Sequence, residues 1–428
     1  MTDARTKAAI ETVIRLESAR LIAGLAHYTR DVGLAEDLAQ DAVVAALEQW
    51  PADGVPRNPG AWLMTVAKRR AIDEFRRSAE LQKKYAQIGR ALEAEGAASV
   101  TPDLDKALGG DIDDDMLRLI FTACHPVLSV QARVALTLRL LGGLTTVEIA
   151  RAYLVPESTI AQRIVRAKRT LAQANVPFEV PGGPERAARL ASVLEVIYLI
   201  FNEGYSATAG DDWMRPALCA EAVRLGRVLA QLAPTEPEVH GLVALLEIQA
   251  SRIPARTNDA GEPVLLLDQD RRRWDRLLIN RGLAALDKAA SLDGERGPYV
   301  LQAAIAACHT QAFRPEETDW PRIVALYNVL AEVMPSPVVE LNRAVAIGMA
   351  YGPDAGLGVV DQLAAEPALQ DYHLLPSVRG DLLRKLGRHA EAQAEFERAA
   401  TLTRNERERE LSARRARDAA AYARGVTP

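Results

Sequence analysis

An all-α chain is predicted by three observations. Ala, Leu, Arg and Glu dominate the 428 residues while aromatics make up 5%, apolar residues recur at three- and four-residue spacing along most of the sequence, and no long alternating Val/Ile/Thr run appears. Almost no sheet is expected. Hydrophobic residues reach 49%, ample for packed cores, and a chain of this length has room for roughly two to four domains. The net charge of −5 means that any contact with a polyanion has to come from a local basic patch set against acidic segments elsewhere.

The first helix is expected from about Thr6 to Tyr28, with Ile10, Val13, Ile14, Leu21, Ile22 and Leu25 on its apolar side. Gly33 interrupts it. The period resumes from Leu34 to Trp50 through Leu38, Val43, Val44 and Leu47, and leaves Glu36, Asp37, Gln40, Asp41 and Glu48 polar until Pro51 stops the helix. A loop with Asp53, Gly54 and Pro56 then leads into Asn58 to Arg77. Pro59 suits a first helical turn, where its missing N–H costs nothing, and Trp62, Leu63, Val66, Ile72 and Phe75 follow at helical spacing. Lys68, Arg69, Arg70, Arg76 and Arg77 occupy most of the remaining surface against Asp73 and Glu74, the electrostatic footprint of phosphate contact. A solvated basic face would look the same in isolation, so the flanking segments decide between the two readings.

From about Glu80 to Asp115 the period weakens into an acidic linker, with Glu93, Glu95, Asp103, Asp105, Asp111, Asp113, Asp114 and Asp115 against Lys106. Two apolar-periodic helices follow, in MLRLIFTACHP and SVQARVALTLRLLGGL. The next segment, TTVEIARAYLVPESTIAQRIVRAKRTL, has the spacing of a helix-turn-helix. Thr145 or Thr146 with Glu148 caps its first helix, Ala150 permits close helix approach, Leu154 and Val155 form the turn, and Pro156 opens the second helix. That second helix turns Ile160, Ile164, Val165 and Leu171 inward. It offers Glu157, Ser158, Thr159, Gln162, Arg163 and Arg166 to base edges, with Lys168 and Arg169 as phosphate ligands.

Pro177, Pro181, Gly182, Gly183 and Pro184 mark a boundary, after which the sequence reads as helices in pairs. The clearest repeat is GDLLRKLGRHAEAQAEFERAATL, with Gly380, Leu383, Gly387, Ala392, Phe396 and Ala399 at the small and large positions of a tetratricopeptide motif. A weaker copy at Ala344, Ile347, Gly356, Val360 and Leu363 precedes it, and Ile323, Tyr327 and Leu330 precede that. Such drift suits an irregular solenoid with a concave partner surface. Asn202, Glu203, Tyr205 and Asp211 are candidates for a polar pocket, and Asp268, Asp270, Arg271, Arg272, Arg273 and Trp274 for an ion-pair cluster that tethers a long loop.

Cys124, Cys219 and Cys308 lie far apart, which argues for a reducing compartment and against a disulfide framework. Cys124-His125 and Cys308-His309 lack the spacing of a zinc site, and the remaining histidines are dispersed, so neither a metal, a cofactor nor a catalytic constellation is expected. The N-terminus carries acidic residues and no uninterrupted apolar run, and no stretch is long enough to span a bilayer, so a cytoplasmic protein without a membrane partner is expected.

The succession of DLAQD in an acidic helix, NPGAWL, a basic AKRRAIDEFRR segment and a later helix-turn-helix resembles domains two and four of a bacterial extracytoplasmic-function sigma factor of the sigma-70 family. The FTACHP segment further resembles a sigma group with a long C-terminal extension. The resemblance implies an all-α architecture of two small helical sigma domains, 6–78 and 113–175, joined by the acidic linker 79–112 and followed by an α-solenoid, tetratricopeptide-like domain over 185–415. It implies that RNA polymerase core is bound through its beta-prime clamp by Asp37, Leu38, Gln40, Asp41 and Val44, and through its beta flap. Promoter DNA is then opened at the minus-ten element by the 53–60 loop with Trp62, Lys68, Arg69, Arg70, Arg76 and Arg77. The minus-thirty-five element falls to Glu157, Ser158, Thr159, Gln162, Arg163, Arg166, Lys168 and Arg169. Arg69 departs from the Asn of many relatives, so this chain's base readout is its own. The extension is expected to regulate or to bind a further protein. Two alternatives are a helix-turn-helix activator with a sensing repeat domain, which binds duplex DNA without polymerase, and a scaffold whose basic faces are incidental.

Overall fold

The computed structural model describes residues 2–89, 112–153, 155–294 and 296–424, in two compact units, Met1–Val196 and Ile197–Pro428. Most of the expected acidic linker, and Leu154 of the expected turn, lie outside the described residues.

The first unit begins with α1 (Thr2–Thr29), α2 (Val32–Asp53) and α3 (Pro59–Gly89). Gly33 does not break the first two apart. The break falls at Arg30, in the left-handed region with φ 54°, and Asp31 restarts the helix by accepting from the N–H groups of Gly33 (2.7 Å) and Leu34 (3.1 Å). Nor does Pro51 stop α2. It sits in the last turn, where one missing intrahelical bond costs little, and the helix ends at Gly54, whose φ of 82° suits a residue without Cβ and whose N–H meets the Trp50 carbonyl at 2.9 Å. Asn58 caps α3 by accepting from Ala61 N–H at 3.1 Å. Beyond Arg77, where its end is predicted, α3 continues to Gly89. Leu21, Ile22, Leu25, Leu38, Trp50 and Leu63 are buried in the core of this helical trio.

The unit is completed by α4 (Ile112–Ala123), α5 (Val130–Leu140), α6 (Thr146–Ala152), α7 (Glu157–Gln173) and the first part of α8 (Gly183–Tyr205). That part of α8 is fastened to α4 and α5. Arg189 donates to the Phe121 carbonyl at 3.0 Å, the Ser192 hydroxyl donates to the Cys124 carbonyl at 2.6 Å, and the buried Arg133 guanidinium reaches both the Ser192 hydroxyl and Glu195, the latter at 3.0 Å. The helix after the proline-glycine cluster therefore belongs to the same packing as α4 and α5, and the division between the units falls inside it. Cys124 is buried here at 1% exposure, and burial pushes its thiol up to about 11, so it is inert.

The second unit holds the rest of α8, then α9 (Pro216–Leu232), α10 (Pro237–Ala250), α11 (Arg276–Ser291), α12 (Pro298–Gln311), α13 (Trp320–Val333), α14 (Pro337–Tyr351), α15 (Pro353–Leu363), α16 (Leu374–Lys385), α17 (His389–Leu402) and α18 (Glu406–Ala423). Among the described residues, sheet is confined to two two-residue strands, β1 (Ala209–Gly210) and β2 (Arg404–Asn405), paired in parallel. Most of the spaced repeat positions are core positions: Ile323, Leu330, Ala344, Val360, Leu383, Ala392, Phe396 and Ala399 are buried, in the successive helix pairs α12–α13, α14–α15 and α16–α17, while Tyr327, Ile347 and Leu363 are half-buried and Gly387 is exposed. Close approach explains two of the repeat glycines, Gly356 and Gly380, while Gly387 is left-handed with φ 74°. A Cβ on Gly356 would stand 2.8 Å from the Ala344 carbonyl oxygen, and one on Gly380 2.8 Å from the Phe396 ring.

The expected ion-pair cluster near residue 270 takes a different form. Asp270 pairs with Arg272 at the surface (2.9 Å), while Arg271 turns inward and donates to the carbonyls of His309 and Ala312, each at 2.7 Å, at the C-terminal end of α12 where unpaired carbonyls favour a cation. Arg252 donates to the Ala306 carbonyl at 3.3 Å, and Arg256 stacks 3.5 Å above the Tyr205 ring and 4.3 Å from that of Trp213. Glu203, of the expected polar pocket, is occupied by Arg215 and by the Thr208 hydroxyl at 3.0 Å.

His309 lies beside these cations. Burial, then Arg252 and Arg271, push its imidazole down to about 3, so it is neutral in the fold. The unfolded chain binds a proton below about pH 6.5 that the folded chain refuses, so stability falls as pH is lowered from there toward 3, by roughly 1.4 kcal/mol per pH unit at most. Urea unfolding at pH 7 and pH 5 is expected to show that loss in the native chain. In a His309→Gln variant the slope over the same interval is expected to be shallower, whatever its absolute stability.

Candidate nucleic-acid interface

The helix-turn-helix is built from local chemistry. Thr145 accepts from Glu148 N–H at 3.2 Å while the Glu148 carboxylate accepts from Thr145 N–H at 2.7 Å, a reciprocal cap that fixes where α6 starts. Val155 N–H meets the Ala150 carbonyl at 3.1 Å, and Pro156 precedes the first residue of α7. Helix α7 buries Ile160, Ile164, Ala167 and Leu171. Val165, expected inward, is 64% exposed: it lies about 100° around the helix from Ile164, away from the side that Ile160, Ile164, Ala167 and Leu171 bury. Glu157, Ser158, Gln162, Arg166 and Arg169 are exposed, with Thr159 and Arg163 half-buried beside them. Arg163, Arg166 and Arg169 have no ion-pair partner among the described residues, which leaves their charge available to a polyanion.

Lys168 stands apart from that group. Its ammonium is 2.5 Å from Oε2 of Glu36 and 3.7 Å from Oδ1 of Asp37, both on α2. The other Glu36 oxygen, Oε1, accepts from Nε of Arg139 at 2.6 Å and from Nε2 of Gln40 at 2.7 Å. Glu36 is 3% exposed. Burial alone would raise its carboxyl, but Lys168 and Arg139 more than offset that and hold it below the usual carboxylate range. Nothing in the local sequence distinguishes Glu36 from the other polar residues of α2, because its partners come from α5 and α7.

On α3, Arg69, Arg76 and Arg77 are exposed and Arg70 pairs with Asp41 of α2 at 3.1 Å, with both side chains open to solvent. Lys68 is half-buried, and burial lowers its ammonium somewhat. Trp62 is half-buried and packs edge-on to the buried Trp50, with ring centroids 5.3 Å apart, which fixes its indole near the Asn58 end of the helix. On α2, Asp37, Gln40 and Asp41 are exposed and Val44 is 50% exposed. Leu38, at 4% exposure, faces the core, so it holds α2 in place and offers no surface to a partner.

Residues 14–80 match Sigma-70 region 2, residues 118–171 match Sigma-70, region 4, and residues 189–290 match a family of unknown function, DUF6596. Region 2 and region 4 in this order define a sigma factor. The chain is 34% identical over 147 residues to the ECF RNA polymerase sigma factor SigK of Mycobacterium tuberculosis, covering 33% of this chain and 72% of SigK, and 30% identical over 151 residues to SigK of Mycobacterium ulcerans, covering 34% and 75%. It is also 45% identical over 399 residues to the Uncharacterized protein R00370 of Rhizobium meliloti, covering 92% of each chain. The chain thus belongs to the extracytoplasmic-function sigma factors of the sigma-70 family, and carries a helical C-terminal extension beyond the sigma regions. Membership implies partnership with RNA polymerase core and promoter DNA; sigma factors as a class are non-enzymatic regulators. Among the described residues, no helix is long and apolar enough to cross a membrane.

Proposed function

We propose that α7 reads the minus-thirty-five element, that α3 and the loop before it open the minus-ten element, and that the exposed carboxylates of α2 dock on the beta-prime clamp of core polymerase. The observation that carries this reading is the cationic face of α7, where Arg163, Arg166 and Arg169 have no ion-pair partner among the described residues and stand beside the exposed Gln162 and Ser158. The exposed Val165 adds an apolar surface suited to a thymine methyl group. Trp62 near the start of α3, with Arg69, Arg76 and Arg77 along it, suits a separated strand, where a base needs a surface to stack on and the backbone needs cations. The β-flap contact falls to the α4–α7 domain. The extension is a protein-interaction and regulatory domain, and the whole acts in the cytoplasm without catalysis of its own.

Run-off transcription with purified core polymerase on a genomic promoter library tests this directly. Transcripts that depend on the full chain are expected, and a fragment ending at Tyr205, which keeps all of α8, reports by its relative activity whether the extension inhibits or assists. Specific duplex binding without any transcript from either protein would favour an activator and sink the promoter-opening assignment.

A further inference from the structure

Tyr198, Asn202 and Tyr205 recur at four- and three-residue spacing in the last turns of α8, so they share one helix face, while Ile197, Ile200, Phe201 and Gly204 are buried. That face meets residues from far along the chain. The Tyr198 hydroxyl donates to Gln302 of α12 at 3.2 Å, and its ring stands edge-on to that of Tyr299, with centroids 5.6 Å apart. The phenol of Tyr327 on α13 comes within electrostatic reach of Tyr198, and Arg252, just after α10, lies against the phenols of Tyr205 and Tyr327.

The stack of helix pairs is fastened end to start where this face finishes. β1 follows α8 and pairs with β2, which precedes α18, and the Asn405 amide, 0% exposed, donates to the carbonyls of Ala207 at 3.1 Å and Asp212 at 2.9 Å. Ser206 donates to Glu408 of α18 at 3.3 Å, and the same carboxylate takes His373 at 2.9 Å and the Thr403 hydroxyl at 2.8 Å. Inside this closure, Tyr198, Asn202, Tyr205, Gln302 and Tyr327 each keep part of their surface open. Burial nevertheless raises the Tyr198 phenol, and burial followed by Tyr198 pushes that of Tyr327 up to about 12. Side chains deep enough to lose the stabilisation of bulk water, yet not covered by neighbouring atoms, line an internal hollow.

Charge decides what the hollow takes. Arg252, Arg256 and Arg271 are 6%, 8% and 6% exposed, and none has an ion-pair partner among the described residues. Arg271 is taken up by the carbonyls at the end of α12, with the exposed Glu316 and Glu317 on its outer side, and Arg256 by the ring and carbonyl of Tyr205. Arg252 is the least satisfied. It donates to one carbonyl, that of Ala306, at 3.3 Å, it lies 5.4 Å from the Trp274 ring centroid, and its Nε has no hydrogen-bond partner. A buried cation without a counter-charge is costly, and two further guanidiniums nearby add to that cost, so the field favours an anion.

We propose that the second unit binds a small organic anion in this hollow, with its carboxylate or phosphate on Arg252 and a planar body among the phenols of Tyr198, Tyr205 and Tyr327, where the amides of Asn202 and Gln302 complete the polar contacts. Closure through β1 and β2 suits a small molecule better than an extended peptide, which needs a groove open at its ends. No residue of the sigma regions takes part, so the proposal stands or falls separately from the promoter assignments.

The test uses the full chain and para-fluorobenzoate, followed by fluorine NMR, with para-fluorobenzyl alcohol as a neutral probe of similar shape. Saturable binding of one equivalent of the acid is expected, with the alcohol at least about tenfold weaker because it brings no charge to Arg252. Arg252→Gln is expected to weaken the acid by about tenfold or more, and Tyr327→Phe, which removes one hydroxyl and keeps the ring, by about threefold or more. Cooperative thermal unfolding checks that each variant folds, and Tyr327→Phe decides alone if Arg252→Gln does not. Alanine at both Arg163 and Arg166 is expected to leave the probe's affinity unchanged, which separates the hollow from the cationic face of α7. Phenyl phosphate, added as competitor, assigns a phosphate if it displaces the probe at lower concentration than benzoate does and a carboxylate if it needs more, and either result supports the site. No saturable binding, equal binding of the alcohol, or unchanged affinity in the folded variants of Arg252 and Tyr327 overturns it.

Discussion

Alanine at Arg163 or at Arg166 is expected to weaken binding to the minus-thirty-five duplex by about 1–3 kcal/mol for each base edge the arginine reads, roughly 5- to 150-fold. Arg166 is exposed and Arg163 half-buried on the same side of α7, about one turn apart, so the double variant gives up two neighbouring base edges and approaches the sum less any coupling between them. Neither side chain has an ion-pair partner among the described residues, so thermal stability is expected to change little and the effect to appear in binding. Fluorescence anisotropy on matched and single-mismatch duplexes over a range of salt separates base readout from phosphate binding. A base-reading arginine flattens discrimination at one position, whereas Arg169→Ala is expected to weaken all sequences alike and to lower the salt slope by about 0.9. Arg296→Ala, an exposed cation of the second unit, serves as the control and is expected to leave binding unchanged. Unchanged sequence preference in both α7 variants would remove α7 from the promoter interface.

Why α7 was legible and Glu36 was not has a physical basis. The start of α6 is written within four residues by the Thr145–Glu148 cap, and the start of α7 by Pro156, so local chemistry places both helices. The same holds for the repeat positions of the second unit, where the alternation of small and large residues reflects helices packed at close range, as at Gly380 and Phe396. Periodicity fails where two neighbours are both apolar: Ile164 and Val165 carry the same signal, and only the neighbouring helices decide which is buried. It fails again at Pro51, where the cost of a proline depends on how near the helix end lies. Glu36 fails for a further reason, since a buried carboxylate is tolerable only with its cations, and these come from helices far along the chain. The proline-glycine cluster before α8 likewise marks a loop without revealing that Arg189 and Ser192 fold back onto α4.

Phe396→Ala is expected to destabilise the second unit by about 3–5 kcal/mol. The ring is 0% exposed and lies over Gly380, close enough that a Cβ there would stand 2.8 Å from it, so it fills the space that the glycine leaves between α16 and α17. Arg415 of α18 sits with its guanidinium carbon 4.2 Å from the ring centroid and also donates to the Ser377 hydroxyl at 3.2 Å, so removing the ring removes a cation–π interaction and loosens α18 as well. Stacked helix pairs stabilise one another through their neighbours, so the damage is expected to spread from α16–α17 to α18 and α14–α15 and to fade with distance along the stack. Hydrogen exchange reads that pattern: amides of α14 through α18 lose protection, while those of α5, in a separate unit with its own core, keep theirs. Gly380→Ala approaches the same packing from the other side by pressing a methyl group into the ring, and combined with Phe396→Leu it is expected to cost less than the two single changes summed. A loss under about 1 kcal/mol for Phe396→Ala would mean that α16 and α17 close over the void left by the ring.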